Sequence, residues 1–114
     1  MENRRKTGSG YEDLAAACLE EKGMRILERN FHARHGEIDL IDQDKKTLVF
    51  VEVKGRKNDR CGDPAEAVTF EKQAAIRMAA RVYLMKRHLS EETPCRFDVV
   101  SICGEDVRHL KDAF

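Results

Sequence analysis

A chain of 114 residues, 41% of them hydrophobic, has enough apolar surface for one core and no room for a second domain. Its 21 Lys and Arg balance its 21 Asp and Glu, so net charge gives no general attraction to nucleic acid, and any such binding must come from an uneven distribution of charge. The charged start, Met1 to Lys6, leads into no apolar stretch of signal length, and no run approaches the roughly 18 apolar residues of a membrane span, so the expectation is a cytoplasmic protein with no membrane partner.

Residues 10–23 place Tyr11, Leu14, Ala15, Cys18 and Leu19 at the spacing of one helical face, and Gly23 ends the helix. Ser9 or Gly10 can cap its start; Glu12 and Asp13 then lie in the first turn, where carboxylates suit the helix dipole. Met24 to Phe31 reads as a partly exposed strand. Arg29-Asn30-Phe31 leads from it into a loop carrying His32 and His35, which no second Cys or His pair answers at a zinc-finger interval. Gly36 follows, lacking a side chain where another chain or a phosphate would approach closely.

Two runs come next, Gly36-Glu37-Ile38-Asp39-Leu40-Ile41 and Leu48-Val49-Phe50-Val51-Glu52-Val53-Lys54, separated by a polar break from Asp42 to Lys46. Their Ile, Leu, Val and Phe content predicts an antiparallel strand pair. Side chains alternate faces along a strand, and a connection of two residues, Lys45 and Lys46, or of four pairs odd with even positions. Either length puts Asp39, Glu52 and Lys54 on one face. The second run is apolar almost throughout, as in strands buried on both sides, so its Glu-x-Lys is not simply the solvated face of a sheet; a buried charge needs a partner or a metal.

From Gly55 to Pro64 the Gly, Asn, Asp and Pro content predicts a loop, and Lys54, Arg56, Lys57 and Arg60 make it the densest basic run, suited either to solvent or to a phosphate backbone. Pro64 suits a first helical position, and Thr69 with Lys72 begins the clearest helix, which runs to about His88 with Ile76, Ala79, Ala80, Tyr83 and Leu84 as its buried stripe. Cys95 to Cys103 predicts a further strand, and a strand-helix-strand order implies a right-handed crossover and a parallel pair. Val107, Leu110 and Phe114 pack a short strand or helical turn against the sheet. Cys18, Cys61, Cys95 and Cys103 form no Cys-x-x-Cys pair and are expected to be thiols.

An Asp followed by Glu-x-Lys on the neighbouring strand is a known constellation for cutting phosphodiesters with a divalent metal. Mg²⁺ or Mn²⁺ takes hard oxygen ligands, which Asp39 and Glu52 supply, within a few Å of each other; Lys54 orients or deprotonates the attacking water or balances charge in the transition state. The chain resembles the YraN family of small bacterial proteins, on Gly36-Glu37-Ile38-Asp39-Leu40-Ile41, Val49-Phe50-Val51-Glu52-Val53-Lys54 and Arg96-Phe97-Asp98-Val99-Val100. The resemblance implies an α/β, restriction-endonuclease-like α-β-β-β-α-β core, a mixed sheet flanked by helices. It also implies that Glu12, from the first helix, joins the metal site, and that Lys72, at the start of the long helix, assists it. The function expected is a metal-dependent nuclease on DNA ahead of RNA, on branched substrates in recombination or repair. The alternative is a non-catalytic nucleic-acid-binding module that keeps the fold. Arg56, Lys57, Arg60 and Lys72 are its expected nucleic-acid contacts, and a homodimer would supply the contacts one small domain lacks.

Overall fold

The computed structural model of the chain describes residues 8–57, 62–63 and 68–114. Helix α1 (Gly8–Glu21) is followed by strands β1 (Arg25–Ala33), β2 (Gly36–Asp44) and β3 (Thr47–Arg56), then helix α2 (Phe70–Lys86) and strands β4 (Cys95–Cys103) and β5 (Asp106–Leu110). The strands lie in the order β1-β2-β3-β4-β5; β3 and β4 pair in parallel and the other neighbours antiparallel. Consecutive strands joined by short turns must run antiparallel, whereas the passage through α2 returns the chain to the same end of the sheet. This is the α-β-β-β-α-β core expected from the sequence, with the tail forming the strand of the two alternatives offered for it. No helix among the described residues is long and apolar enough to cross a membrane.

Strand β3 is buried from Leu48 to Glu52 because a helix covers each of its faces. Phe50 and Leu48 pack with Ile76, Ala79 and Tyr83 beneath α2, while Val49 and Val51 pack with Ala15 and Leu19 beneath α1. Full burial of each Leu, Ile, Val or Phe among these stabilises the fold by about 1.5–3 kcal/mol. Tyr83 adds edge-on contacts to Phe31 and Phe50, with ring centroids 5.3 and 6.0 Å away. The α2 stripe of Ile76, Ala79, Ala80, Tyr83 and Leu84 is the one the periodicity marks, and Thr69 caps the helix by accepting the Lys72 N–H at 3.2 Å. The Pro64 position lies outside the described residues.

Two glycines set how closely the helices approach. A Cβ on Gly36 would stand 2.5 Å from the Ala75 carbonyl oxygen of α2, and one on Gly55 would overlap the Tyr11 ring of α1. The close neighbour of Gly36 is therefore a helix and not a phosphate. Gly55 and Arg56 belong to β3, and His32 to β1, where turn-forming residue types had suggested loops. In each case hydrogen bonding to the adjacent strand extends the element past its apolar run.

Besides the register shift between Ile26 and Glu28, regular alternation fails at Asn30. Arg29 and Asn30 are consecutive, yet both reach α1, through Arg29 to Asp13 at 2.6 Å and Asn30 to Glu12 at 3.1 Å. Asn30 has φ of 52°, a left-handed conformation that Asn tolerates better than most residues and that reverses the pleat. Across the ladder, Leu40 packs beneath α1 and Ile38 beneath α2, so β2 also switches faces, at Asp39.

The cysteine expectation is corrected at Cys103, which is disulfide-bonded; Cys18 and Cys95 are free and Cys61 lies outside the described residues. Thiols were inferred from the expected reducing compartment, which says nothing about which chain segments the fold brings together. The polar break is corrected at Asp42. Strand β2 runs through it to Asp44, only Lys45 and Lys46 form the turn, and Asp42 is fully buried with neither carboxylate oxygen hydrogen-bonded.

Burial, with the charges of Asp98 and Glu20 adding to it, pushes the Asp42 carboxyl up to about 7 from 3.8. The folded chain thus holds this proton to higher pH than the unfolded chain does. Its contribution is favourable below about pH 4 and is lost as pH rises towards 7, by up to about 1.4 kcal/mol per unit. Asp42→Asn should match the parent in stability near pH 4 and exceed it at pH 8 by about 2–4 kcal/mol. Urea unfolding across that range checks this; a difference independent of pH would refute the buried-carboxyl account.

Candidate active site

The hairpin register runs from Asp44–Thr47 to Leu40–Val51, which sets Asp39 beside Glu52 at the end of the ladder. There the strands part. The Val53 N–H, two residues past the last pair, donates to Asp39 Oδ2 at 2.8 Å. The Asp39 carboxylate is thereby fixed against β3 by a bond that a strand partner would otherwise make.

Glu52 is 4% exposed and shares a side-chain hydrogen bond with Asp39. Burial, followed by the nearby Asp39 charge, pushes its carboxyl up to about 7 from 4.5, against the opposing pull of Lys72. Lys72 Nζ lies 3.1 Å from Glu52 Oε2. Burial lowers the Lys72 ammonium, but the bond to Glu52 and the charges of Glu52, Asp39 and Glu37 outweigh it and raise it on balance. Two carboxyls from neighbouring strands and an ammonium from the first turn of α2 thus meet in one half-enclosed place. The Gly36 contact with Ala75, one turn along α2 from Lys72, lets the helix come that close.

Lys54 lies two residues beyond Glu52, on the same β3 face by alternation and half-buried, and among the described residues no ion pair holds its ammonium. Glu12 reaches the site's other flank. It accepts from Asn30 at 3.1 Å and is raised by burial first; Asn30 and Arg29 oppose that, and Asp39 and Asp13 add to it. Asn30 stands opposite Asp39 in the β1–β2 register, so its bond to Glu12 holds that carboxyl on the Asp39 side of the site. Among the described residues, no three His, Cys, Asp or Glu side chains are gathered tightly enough to hold a metal alone. Arg56, on the β3 face of Lys54 by alternation, and Lys57, just past the strand, are exposed; Arg60 falls outside the described residues.

Sequence reasoning missed the polar cluster on the α1 face. Asp98 is fully buried, accepts from Arg96 Nε at 3.0 Å and from the Asp112 N–H at 2.9 Å, and bonds His109 Nε2 at 2.7 Å. Burial works to raise this carboxyl, but the bonds from His109, Arg96 and Asp112 prevail and hold it below its usual value. The available signal was an Asp inside the apolar run from Phe97 to Val100, paralleling Glu52 in β3.

Because Glu52 is buried, removing its cationic partner leaves a carboxylate without compensation. Lys72→Met should destabilise the protein by about 1–3 kcal/mol at pH 8 and by less at pH 5, where Glu52 is protonated. Chemical denaturation at the two pH values measures it. An equal loss at both would assign Lys72 a packing role only.

The chain matches the family described as Uncharacterised protein family UPF0102 over residues 11–102, the YraN family of the resemblance. It is 46% identical over 112 residues to a UPF0102 protein of Lachnoclostridium phytofermentans, covering 98% of this chain and 95% of that protein. It is 43% identical to one of Nitrosococcus oceani, over 96% of this chain and 92% of that protein. A third, of Photobacterium profundum, is 49% identical over 91% of this chain and 84% of that protein.

Proposed function

We propose, for a chain that belongs to the uncharacterised protein family UPF0102, that it is a metal-dependent nuclease acting on DNA ahead of RNA. The observation that carries this reading is the hydrogen-bonded carboxyl pair of Asp39 and Glu52, one of them buried, with an ammonium against it. The donor set fits Mg²⁺ or Mn²⁺, which take carboxylate oxygens and fill their remaining positions with water and substrate phosphate. Two carboxyls held close enough to share a proton are arranged as ligands of one small cation would be, and a site short of three protein ligands suits an ion that the substrate's phosphate also binds. When bound, that ion polarises a phosphoryl oxygen and lowers the pKa of a bound water.

The chain's own groups divide the remaining work. The Val53 N–H occupies Asp39 Oδ2 and leaves the other oxygen to face the site. Lys72 fixes the Glu52 carboxylate and offsets part of its charge. Lys54, unpaired among the described residues, is the group free to orient water or meet charge developing on phosphorus. Glu12 adds a third carboxyl at the flank when substrate draws the groups together. Arg56 and Lys57 extend the cationic surface beyond Lys54 and would contact the phosphate backbone in a salt-dependent way.

Two measurements test the proposal. Calorimetry with Mg²⁺ and Mn²⁺ should show weak binding that Asp39→Asn abolishes. Incubation with branched, duplex and single-stranded DNA and RNA should show metal-dependent cleavage that falls about 100-fold or more in Asp39→Asn and Lys54→Ala. Cleavage that persists in both variants would assign the activity elsewhere. Metal-independent binding of nucleic acid with no cleavage would favour the non-catalytic module.

A further inference from the structure

A second charged recess lies at the other end of the sheet. Strand β3 leaves the hairpin at Thr47 and reaches Glu52 five residues on, so the two places are separated by roughly 17 Å of strand. The recess encloses about 570 Å³ and is lined by Lys22, Lys45, Lys46, Arg96, Lys111 and a single carboxylate, Asp44. In a chain whose charges cancel, five cations against two carboxylates, Asp44 in the lining and Asp98 behind Arg96, are a local excess.

Its floor is built, not merely charged. Arg96 is 17% exposed and its guanidinium is clamped by Asp44, at 2.8 Å from Nη1, and by Asp98, at 3.0 Å from Nε. Among the described residues the remaining nitrogen, Nη2, meets only the Met24 sulfur at 4.0 Å, a weak acceptor. Lys22 Nζ lies 2.9 Å from His109 Nδ1. An ammonium can only donate, so Nδ1 accepts and the other ring nitrogen carries the hydrogen that meets Asp98 at 2.7 Å. One buried carboxylate therefore orients both cations, directly through Arg96 and through His109 for Lys22. A network serving only to tie β4 to β5 would need Arg96 and His109 but would have no use for Lys22. Lys45 holds the hairpin turn at φ of 57°, where glycine or asparagine would be relaxed, and so keeps a cation at the rim.

We infer that this recess binds a phosphate monoester, with Arg96 and Lys22 as fixed donors and Lys45, Lys46 and Lys111 as mobile cations around it. The planar guanidinium suits phosphate oxygens, and a dianion matches the charge excess better than a diester does. The volume exceeds that of phosphate alone and falls in the range of small-molecule sites, leaving space for an attached nucleoside. The monoester is that of a free mononucleotide or the terminal phosphate of a nucleic-acid strand. The inference does not rest on the nuclease reading.

Calorimetric titrations in EDTA, which removes metal from the Asp39 and Glu52 site, test it with inorganic phosphate, deoxyadenosine 5′-monophosphate, and one short oligonucleotide with and without a 5′-phosphate. The monophosphates should bind, and Lys22→Ala with Lys111→Ala should weaken them about 10-fold or more. These two side chains are exposed, so the fold should persist, which circular dichroism verifies. Arg96→Lys, which keeps the charge but loses the fork, should weaken binding too, while Asp39→Asn should leave it unchanged. A mononucleotide bound as tightly as the phosphorylated oligonucleotide identifies a free nucleotide as the source. Tighter binding of the phosphorylated oligonucleotide identifies a strand end. Absence of binding at millimolar monophosphate, an unchanged affinity in the folded double variant, or equal binding of the oligonucleotide with and without its 5′-phosphate would overturn the inference.

Discussion

The coordinated reversal of two strands at Asn30 and Asp39 is the constraint on which the rest of the site depends. In an unbroken pleat, successive residues serve opposite faces, and a strand buried on both sides offers no opening between them. The left-handed Asn30 and the facing Asp39 suspend that rule together, so Asn30 can reach Glu12 on α1 while Asp39 turns to the β3 backbone and Glu52. Such a backbone conformation costs a non-glycine residue of the order of 1 kcal/mol. The cost persists because hydrogen bonds to α1 and to the β3 backbone over-determine the position.

Three buried carboxyls show how differently the same fold treats the same chemical group. Asp98 has an Arg, a His and a backbone N–H, and is held below its usual value although burial opposes this. Glu52 has one Lys and a second carboxyl, and rises to about 7. Asp42 has no hydrogen-bond partner and also rises to about 7. In both, burial comes first and a neighbouring carboxylate second; they differ in that Glu52 has a cation bonded to it and Asp42 does not. For Glu52, a like charge adds to burial and the Lys72 ammonium restrains both. For Asp42, burial dominates with nothing arranged to receive it, so its shift reads as a destabilising element of the core. Perturbed acidity marks a candidate site only when the geometry supplies something for the group to do.

Much of this was legible in residue order. A two-residue turn at Lys45 and Lys46 fixes odd against even, and that arithmetic alone brings Asp39 beside Glu52 before any coordinate is known. The α2 stripe follows from its period, and the parallel β3–β4 pair from the intervening helix. What was not legible depends on contacts between distant segments. No local pattern says that Lys72, 20 positions after Glu52, will pair with it. Asp42 sits among polar residues and looks like part of a turn, yet the neighbouring strands bury it. The Asp98, Arg96 and His109 network joins residues whose partners are set by the β4–β5 register, and the pattern of the tail left a strand and a helical turn equally open.

The formal neutrality of the chain also understates the charge that an anion would meet. Among the described acidic residues, Asp42, Asp98 and Glu52 are buried, and burial raises two of these three carboxyls to about 7, so the charge they carry near neutral pH is reduced. Their field at the surface is reduced further by the cations they hold inward, Arg96 and Lys72. The cations are placed otherwise, with Lys45, Lys46 and Lys111 exposed at the hairpin end and Arg56 and Lys57 at the opposite end of β3. A balance that excludes general attraction therefore leaves two separated positive regions on one small domain, because the acids that cancel them in the count lie partly in the core and partly protonated. Attraction between such regions and phosphate falls off over about 8–10 Å at physiological salt, so each acts locally and neither depends on the net charge.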